Sequence, residues 1–395
     1  MHTQSINKPE QIVEGLPCDI PPVIFIRSHT GLRGIAALLV VAYHLQYRSG
    51  HLAFEDRTSF FLRSYLMVDL FFILSGFIMA HVNKGDRWSI MNWSEIRHFW
   101  WRRVIRIYPL HFAVLLAMLL FNFIVTVFLM QLGHPPPTFW SSKELIMLGA
   151  QFLLINAWLP LPNAWNIPSW SISAEFVAYA IFPLLVWGVV KTRRTTTIIL
   201  LAACASFYTF AASGPSLDIT GGASALGRCL AGFTLGFLLH GQRDLFNKLP
   251  DLSLNLMQLA TVIWIVAAMS VPSRDSLVIP AFVFLVGLTW CDRGVVARLL
   301  GVRKLLWLGE ISYAIYIGHL LILGVLSFIW DRTFRHVIHD MVLERSIFIL
   351  SAYAAVIIIA AICNKRLELP LRLLLSTAMS TQGRVSARGV TTGRS

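Results

Sequence analysis

The chain has 395 residues, of which 56% are apolar and 13% charged, with a formal net charge of +13. Globular proteins carry about 25% charged residues, so this composition excludes a soluble enzyme, a disordered chain and a disulfide-stapled secreted domain. The basic residues cluster between apolar runs, which makes membrane topology the first explanation of the charge and gives no reason to expect a nucleic-acid partner.

Residues 1–28 read as a polar cytoplasmic segment. They lack the basic start and apolar run of a signal peptide, so the first span is expected to target the chain. Ten apolar runs follow that approach or reach the roughly 17–25 residues needed to cross a bilayer. They are Thr30–Tyr47, Tyr65–Val82, Ile107–Gln131, Ser171–Val190, Thr197–Ala212, Ala223–His240, Leu254–Val271, Leu277–Cys291, Leu305–Phe328 and Ile347–Cys363. The fifth and eighth are short. Glu144–Trp158 is apolar as well and reads as a re-entrant or interfacial helix. Residues 29–375 therefore form one all-α polytopic transmembrane bundle of about ten spans with both termini cytoplasmic. That orientation puts about three times as many Lys and Arg inside as outside. Residues 376–395 make a basic tail. Five cysteines (Cys18, Cys204, Cys229, Cys291, Cys363) are scattered without a CxxC pair, which suggests neither a zinc site nor a disulfide framework.

Ionisable groups inside a span are costly and mark function by default. The first span carries Arg33 and His44 on nearly the same helix face, about 16 Å apart along the axis. Either they serve chemistry, or Arg33 marks the cytoplasmic end and His44 bonds a neighbouring helix. Asp69 opens the second span and Glu175 lies one turn into the fourth, so both are expected near the depth of His44. A carboxylate beside an imidazole fixes its tautomer and raises its basicity. The alternative is a helix cap for Asp69 and a structural arginine as partner for Glu175. Tyr313, Tyr316 and His319 share a face of the ninth span, where substrate contact and interhelical bonding are both open. Arg103 and Arg106, three residues apart, suit phosphate or lipid head groups. The loop Leu132–Trp170 holds Trp140, Trp158, Trp165 and Trp170, an interfacial belt or flat faces for sugar rings. His44, His111 and His319 lie on different helices without metal-ligand spacing, and no metal is expected. His111 is read as a helix-start residue at the cytoplasmic surface.

These segments together resemble the acyltransferase-3 family of membrane acyltransferases. Arg33-Gly34 through His44 resembles its Arg-ten-residues-His signature. Val68-Asp69-Leu70-Phe71-Phe72-Ile73-Leu74-Ser75-Gly76-Phe77 is similar to the second-helix motif, with Met67 where many members have glycine. Arg103 to Arg106 followed by Tyr108-Pro109, Trp170-Ser171-Ile172-Ser173-Ala174-Glu175, Gly309 to His319, and Glu368-Leu369-Pro370 match the later motifs in order. The resemblance is to standalone members, with no esterase-like domain expected after the last span.

The resemblance implies a multi-pass enzyme of the bacterial inner membrane that moves an acyl group, commonly acetyl from acetyl-coenzyme A, onto a hydroxyl. The implied acceptors are mostly saccharides: surface polysaccharides, O-antigen, lipo-oligosaccharides and some macrolides. On this reading Arg102, Arg103, Arg106 and Tyr108 bind the donor, and Arg33 steadies it. His44 is general base or acyl carrier, with Asp69 and Glu175 beside it. Trp170, Ser173, Tyr313, Tyr316 and His319 contact substrate. A transporter or flippase of a saccharide or lipid-linked intermediate is the alternative, since buried charge among many helices suits it too. A sensor or scaffold is a further one.

Overall fold

A computed structural model describes residues 25–49, 58–82, 93–135, 137–159, 165–211, 214, 216–271, 275–334, 337–375 and 377. These residues contain fourteen α-helices and no strand. The helices are α1 (Arg27–Ser49), α2 (Met67–Val82), α3 (Trp93–Gln131), α4 (Ser142–Phe152), α5 (Ser169–Lys191), α6 (Arg193–Ala211) and α7 (Gly222–Gly241). They continue with α8 (Arg243–Asn247), α9 (Asp251–Ser270), α10 (Val278–Thr289), α11 (Val295–Leu300), α12 (Arg303–Glu310), α13 (Ser312–Thr333) and α14 (Met341–Cys363). Among the described residues, eight helices are long and apolar enough to cross a membrane. The chain is thus an all-α polytopic bundle. The other two expected spans are α1, which carries Arg27 and Arg33, and the shorter α10.

Three elements depart from the sequence expectation. α3 starts far ahead of Ile107 and runs for 39 residues, about 58 Å at 1.5 Å per residue, nearly twice the hydrocarbon thickness. Its first turns are polar and aromatic, so hydropathy does not register them. The ninth expected span is two helices: amphipathic α12 breaks at Ile311 and α13 begins at Ser312. The tenth continues past Cys363 through a π-turn (Asn364–Glu368) to Leu375.

α1 begins where its orphan amides find a carboxylate. Asp292 accepts from the backbone N–H of Arg27 at 3.0 Å and of Ser28 at 2.8 Å, which satisfies and charge-complements the helix start. α2 and α7 meet through glycine. Contacts advance together along both, Asp69 with Arg228, Phe72 with Gly232 and His81 with His240, so the two helices run parallel. A Cβ on Gly76 would lie 1.9 Å from the Phe233 carbonyl oxygen, and one on Gly236 1.9 Å from that of Ile73. Gly232 and Gly236 form the small-xxx-small pattern that lets backbones touch inside a membrane.

α4 is a short helix packed against its neighbours. Tyr108 donates to the Phe152 carbonyl at 3.0 Å, the Gln151 carbonyl lies 2.8 Å from His111 Nε2, and Trp165 donates to Glu144 O at 2.9 Å. His111 is therefore a buried residue in the middle of α3 that anchors α4. It does not open a helix at a surface, because the helix starts eighteen residues earlier.

Candidate active site

Two cavities share the bundle interior. The larger, about 390 Å³, is lined by Tyr43, His44, Asn122, Trp170, Asp218 and Arg228 among others. The smaller, about 110 Å³, is lined by Arg33, Ser75, Arg106, Glu175, Tyr179 and Tyr313. Tyr316 lines both. Along α1 the lining passes from Arg33 to His44, along α13 from Ser312 to Gly324, and along α2 from Met79 back to Tyr65 just before its start. The cavities are therefore stacked along the bundle axis. α1 and α13 run one way and α2 the other. Arg33 and His44 do lie on one helix about three turns apart, but each opens on its own cavity.

In the histidine cavity, His44 Nδ1 lies 3.0 Å from the Val40 carbonyl oxygen and 3.2 Å from His319 Nε2. Tyr43 donates to Asp218, and its ring meets that of His44 edge-on. Trp170 packs under the Arg228 guanidinium at 5.3 Å.

In the arginine cavity, Glu175 accepts from Ser75 and, at 2.6 Å, from Tyr179. Arg33 and Arg106 line the same cavity, and Arg103, which is not among its lining residues, lies over the rings of Phe99 and Tyr179 at 5.5 and 5.8 Å. Among the described residues none of these three arginines forms an ion pair, and the buried Nε of Arg103 has no hydrogen-bond partner. Cations held partly out of water ordinarily find a partner, so two unpaired guanidinium groups on the cavity wall, with a third stacked beside Tyr179, suit a phosphate-bearing ligand.

Several expected site residues lie elsewhere. Asp69 does not meet His44. It is fully buried and receives Arg228 Nε at 3.1 Å and Nη2 at 2.6 Å, so both oxygens are committed to an ion pair between α2 and α7. Glu175 belongs to the arginine cavity and not beside His44, because α5 turns it toward Ser75. Arg102 is exposed and lines neither cavity, one helical step away from the face that carries Arg103 and Arg106. Tyr108 spends its hydroxyl on α4. Ser173 donates to the Leu154 carbonyl at 2.7 Å and accepts from Ala157 N at 3.2 Å, which pins the loop before α5. His319 is buried and lines neither cavity. Tyr313 lines the arginine cavity while donating to the Ile107 carbonyl at 2.6 Å. Trp170 and Tyr316 lie on cavity walls.

The site also holds residues to which the sequence reading attached no role: Tyr43, Ser75 (inside the second-helix motif), Tyr179, Asp218 and Arg228. Tyr179 follows Glu175 by one helical turn, and that spacing could have found it. Asp218 sits in a loop with no periodic signal. Among the described residues no cluster of three or more His, Cys, Asp or Glu side chains gathers as a metal site.

A family model described as an acyltransferase domain matches residues 27–365. The chain belongs to the acyltransferase-3 family. Individual relatives resemble it over shorter stretches. Acyltransferase MdmB of Streptomyces mycarofaciens is 35% identical over 170 residues, 42% of this chain and 40% of that one. Protein 2 in the picA locus of Rhizobium radiobacter is 31% identical over 190 residues, 46% of this chain and 91% of that one. Peptidoglycan O-acetyltransferase OatA of Listeria monocytogenes is 23% identical over 186 residues, 45% of this chain and 26% of that one. The chain thus spans less than half the length of two of these three family relatives. No solved structure matches it.

Proposed function

We propose that the chain transfers an acyl group, acetyl from acetyl-coenzyme A, to a hydroxyl of a saccharide, as a multi-pass protein of the bacterial inner membrane. The observation that carries this reading is the pair of stacked cavities, one cationic and one holding His44, that meet at Tyr316. The name of the Listeria relative, a peptidoglycan O-acetyltransferase, favours acetyl and a saccharide.

Arg33 and Arg106 bind donor phosphate in the arginine cavity, with Arg103 beside it over Tyr179. The acceptor occupies the larger cavity against Trp170, whose volume of about 390 Å³ falls in the range of small-molecule sites, roughly 300–1,000 Å³. His44 takes the proton of the acceptor hydroxyl through Nε2 as the oxygen bonds to the thioester carbonyl carbon. The carbon–sulfur bond breaks, and the leaving thiolate receives that proton back from His44. Acylation of His44 itself, followed by transfer to the hydroxyl, uses the same residues in two steps.

The test is compositional. A gene deletion is complemented with wild type or His44→Ala, and ester-linked acyl groups on purified surface glycans are measured by proton NMR. Esters lost on deletion and restored only by wild type support the reading and identify the acyl group. Glycan esters unchanged on deletion overturn it as a glycan acyltransferase. A transporter or flippase predicts that His44→Ala leaves the esters intact and that purified protein has no use for acetyl-coenzyme A.

A further inference from the structure

The sequence pointed to a carboxylate as the orienting partner of His44, yet Asp69 is locked to Arg228 and Glu175 lines the other cavity. A second histidine, His319, does touch His44. His319 Nδ1 lies 2.7 Å from the Tyr316 carbonyl oxygen and 3.2 Å from that of Ile315. Carbonyl oxygens only accept, so in neutral His319 the ring proton sits on Nδ1 and Nε2 carries a lone pair. That lone pair points at His44 Nδ1, 3.2 Å away. His44 Nδ1 also faces the Val40 carbonyl at 3.0 Å, a second pure acceptor. Both neighbours therefore demand a proton on His44 Nδ1, which leaves the basic lone pair of His44 on Nε2.

We propose that His319 is a positioning residue for His44: it accepts from Nδ1–H, holds the tautomer that is basic at Nε2, and stabilises the imidazolium formed when His44 takes a proton. The role is that of the carboxylate in a Ser-His-Asp triad, filled by a neutral imidazole. The proposal rests on His44 being the base or nucleophile. Of the two readings the sequence left open for His319, it takes interhelical bonding over the substrate contact implied by the resemblance, since His319 lines neither cavity. It also links His44 to the partition between the cavities, because the carbonyl that fixes the His319 proton belongs to Tyr316.

The experiment compares His319→Gln with His319→Asn in full-length protein purified into lipid nanodiscs. Thiol release from acetyl-coenzyme A is followed with surface glycan from the deletion strain as acceptor. Gln places an amide oxygen near the position of Nε2, whereas Asn reaches only the position of Nδ1. We expect Gln to stay within about threefold of wild-type turnover and Asn to fall on the order of 10–100-fold, by analogy with lost orienting partners of metal-bound histidines, each with the KM for acetyl-coenzyme A unchanged. The retained Val40 contact keeps the loss below the roughly 10⁴-fold of a triad whose tautomer is wrong. A packing or helix-anchoring role predicts the opposite order, since Asn preserves the backbone bond and Gln crowds the site. Asn equal to or better than Gln, or a changed acetyl-coenzyme A KM with turnover intact, overturns the proposal. His44→Ala measured alongside separates the two levels: full activity there would refute the role of His44 itself, whatever the His319 variants do.

Discussion

Replacing Asp69 by asparagine would remove one charge from an ion pair whose side chains are 1% and 0% exposed. Arg228 would keep its charge with no carboxylate in contact, its guanidinium left with the carbonyls of Tyr65 and Ile219 at 3.2 and 3.4 Å. Breaking a buried pair from one side costs about 3–5 kcal/mol, two to four decades in the folding equilibrium at about 1.4 kcal/mol per decade. Asp69→Asn should therefore lower the midpoint of heat-induced loss of the monodisperse peak, measured by size exclusion in detergent. Removing both charges, as in Asp69→Leu with Arg228→Met, should recover most of the loss, because an apolar pair of similar volume is often neutral or better. A single mutant as stable as wild type yet devoid of transferase activity would refute this reasoning and restore Asp69 to the chemistry.

Arg33→Ala and Arg106→Ala should each raise the KM for acetyl-coenzyme A about 10–100-fold, the value of a charge-assisted bond of roughly 1.5–3 kcal/mol; steady-state kinetics showing reduced turnover at unchanged KM would remove them from donor binding. Ser173→Ala should cost about 1–3 kcal/mol of stability through the orphaned Ala157 amide and leave acceptor KM unchanged. Gly236→Ala places a methyl where the Ile73 carbonyl oxygen sits 1.9 Å away, so α2 and α7 must separate; thermal unfolding should show a loss of about 1–3 kcal/mol or more.

Apolar runs make most of the bundle legible in the chain itself, because each transmembrane helix must satisfy its own backbone and cover it with apolar side chains. What hydropathy missed was helix without apolarity, the Trp93–Arg106 start of α3, and a break inside apolarity, Ile311. For the site, helical spacing grouped residues on one element: Arg103 with Arg106, and Arg33 with His44 about three turns above it. Which element meets which is a different question. The partner of Asp69 is Arg228, far along the chain on α7, and the partner of His44 is His319 on α13. Both pairings depend on how helices dock, which no local pattern encodes. Ser173 shows the same limit, since it sits in a functional motif but bonds backbone.

The wall between the cavities carries an electrical consequence. Tyr316 faces both chambers, and its hydroxyl is bonded to Ser171 at 2.7 Å. Were the chambers merged, water could thread much of the bundle, and each proton crossing down a 100 mV potential would dissipate about 2.3 kcal/mol of the cell's stored energy. Because Tyr316 lines both chambers, any movement of its ring changes the seal against ions and the opening between the chambers together.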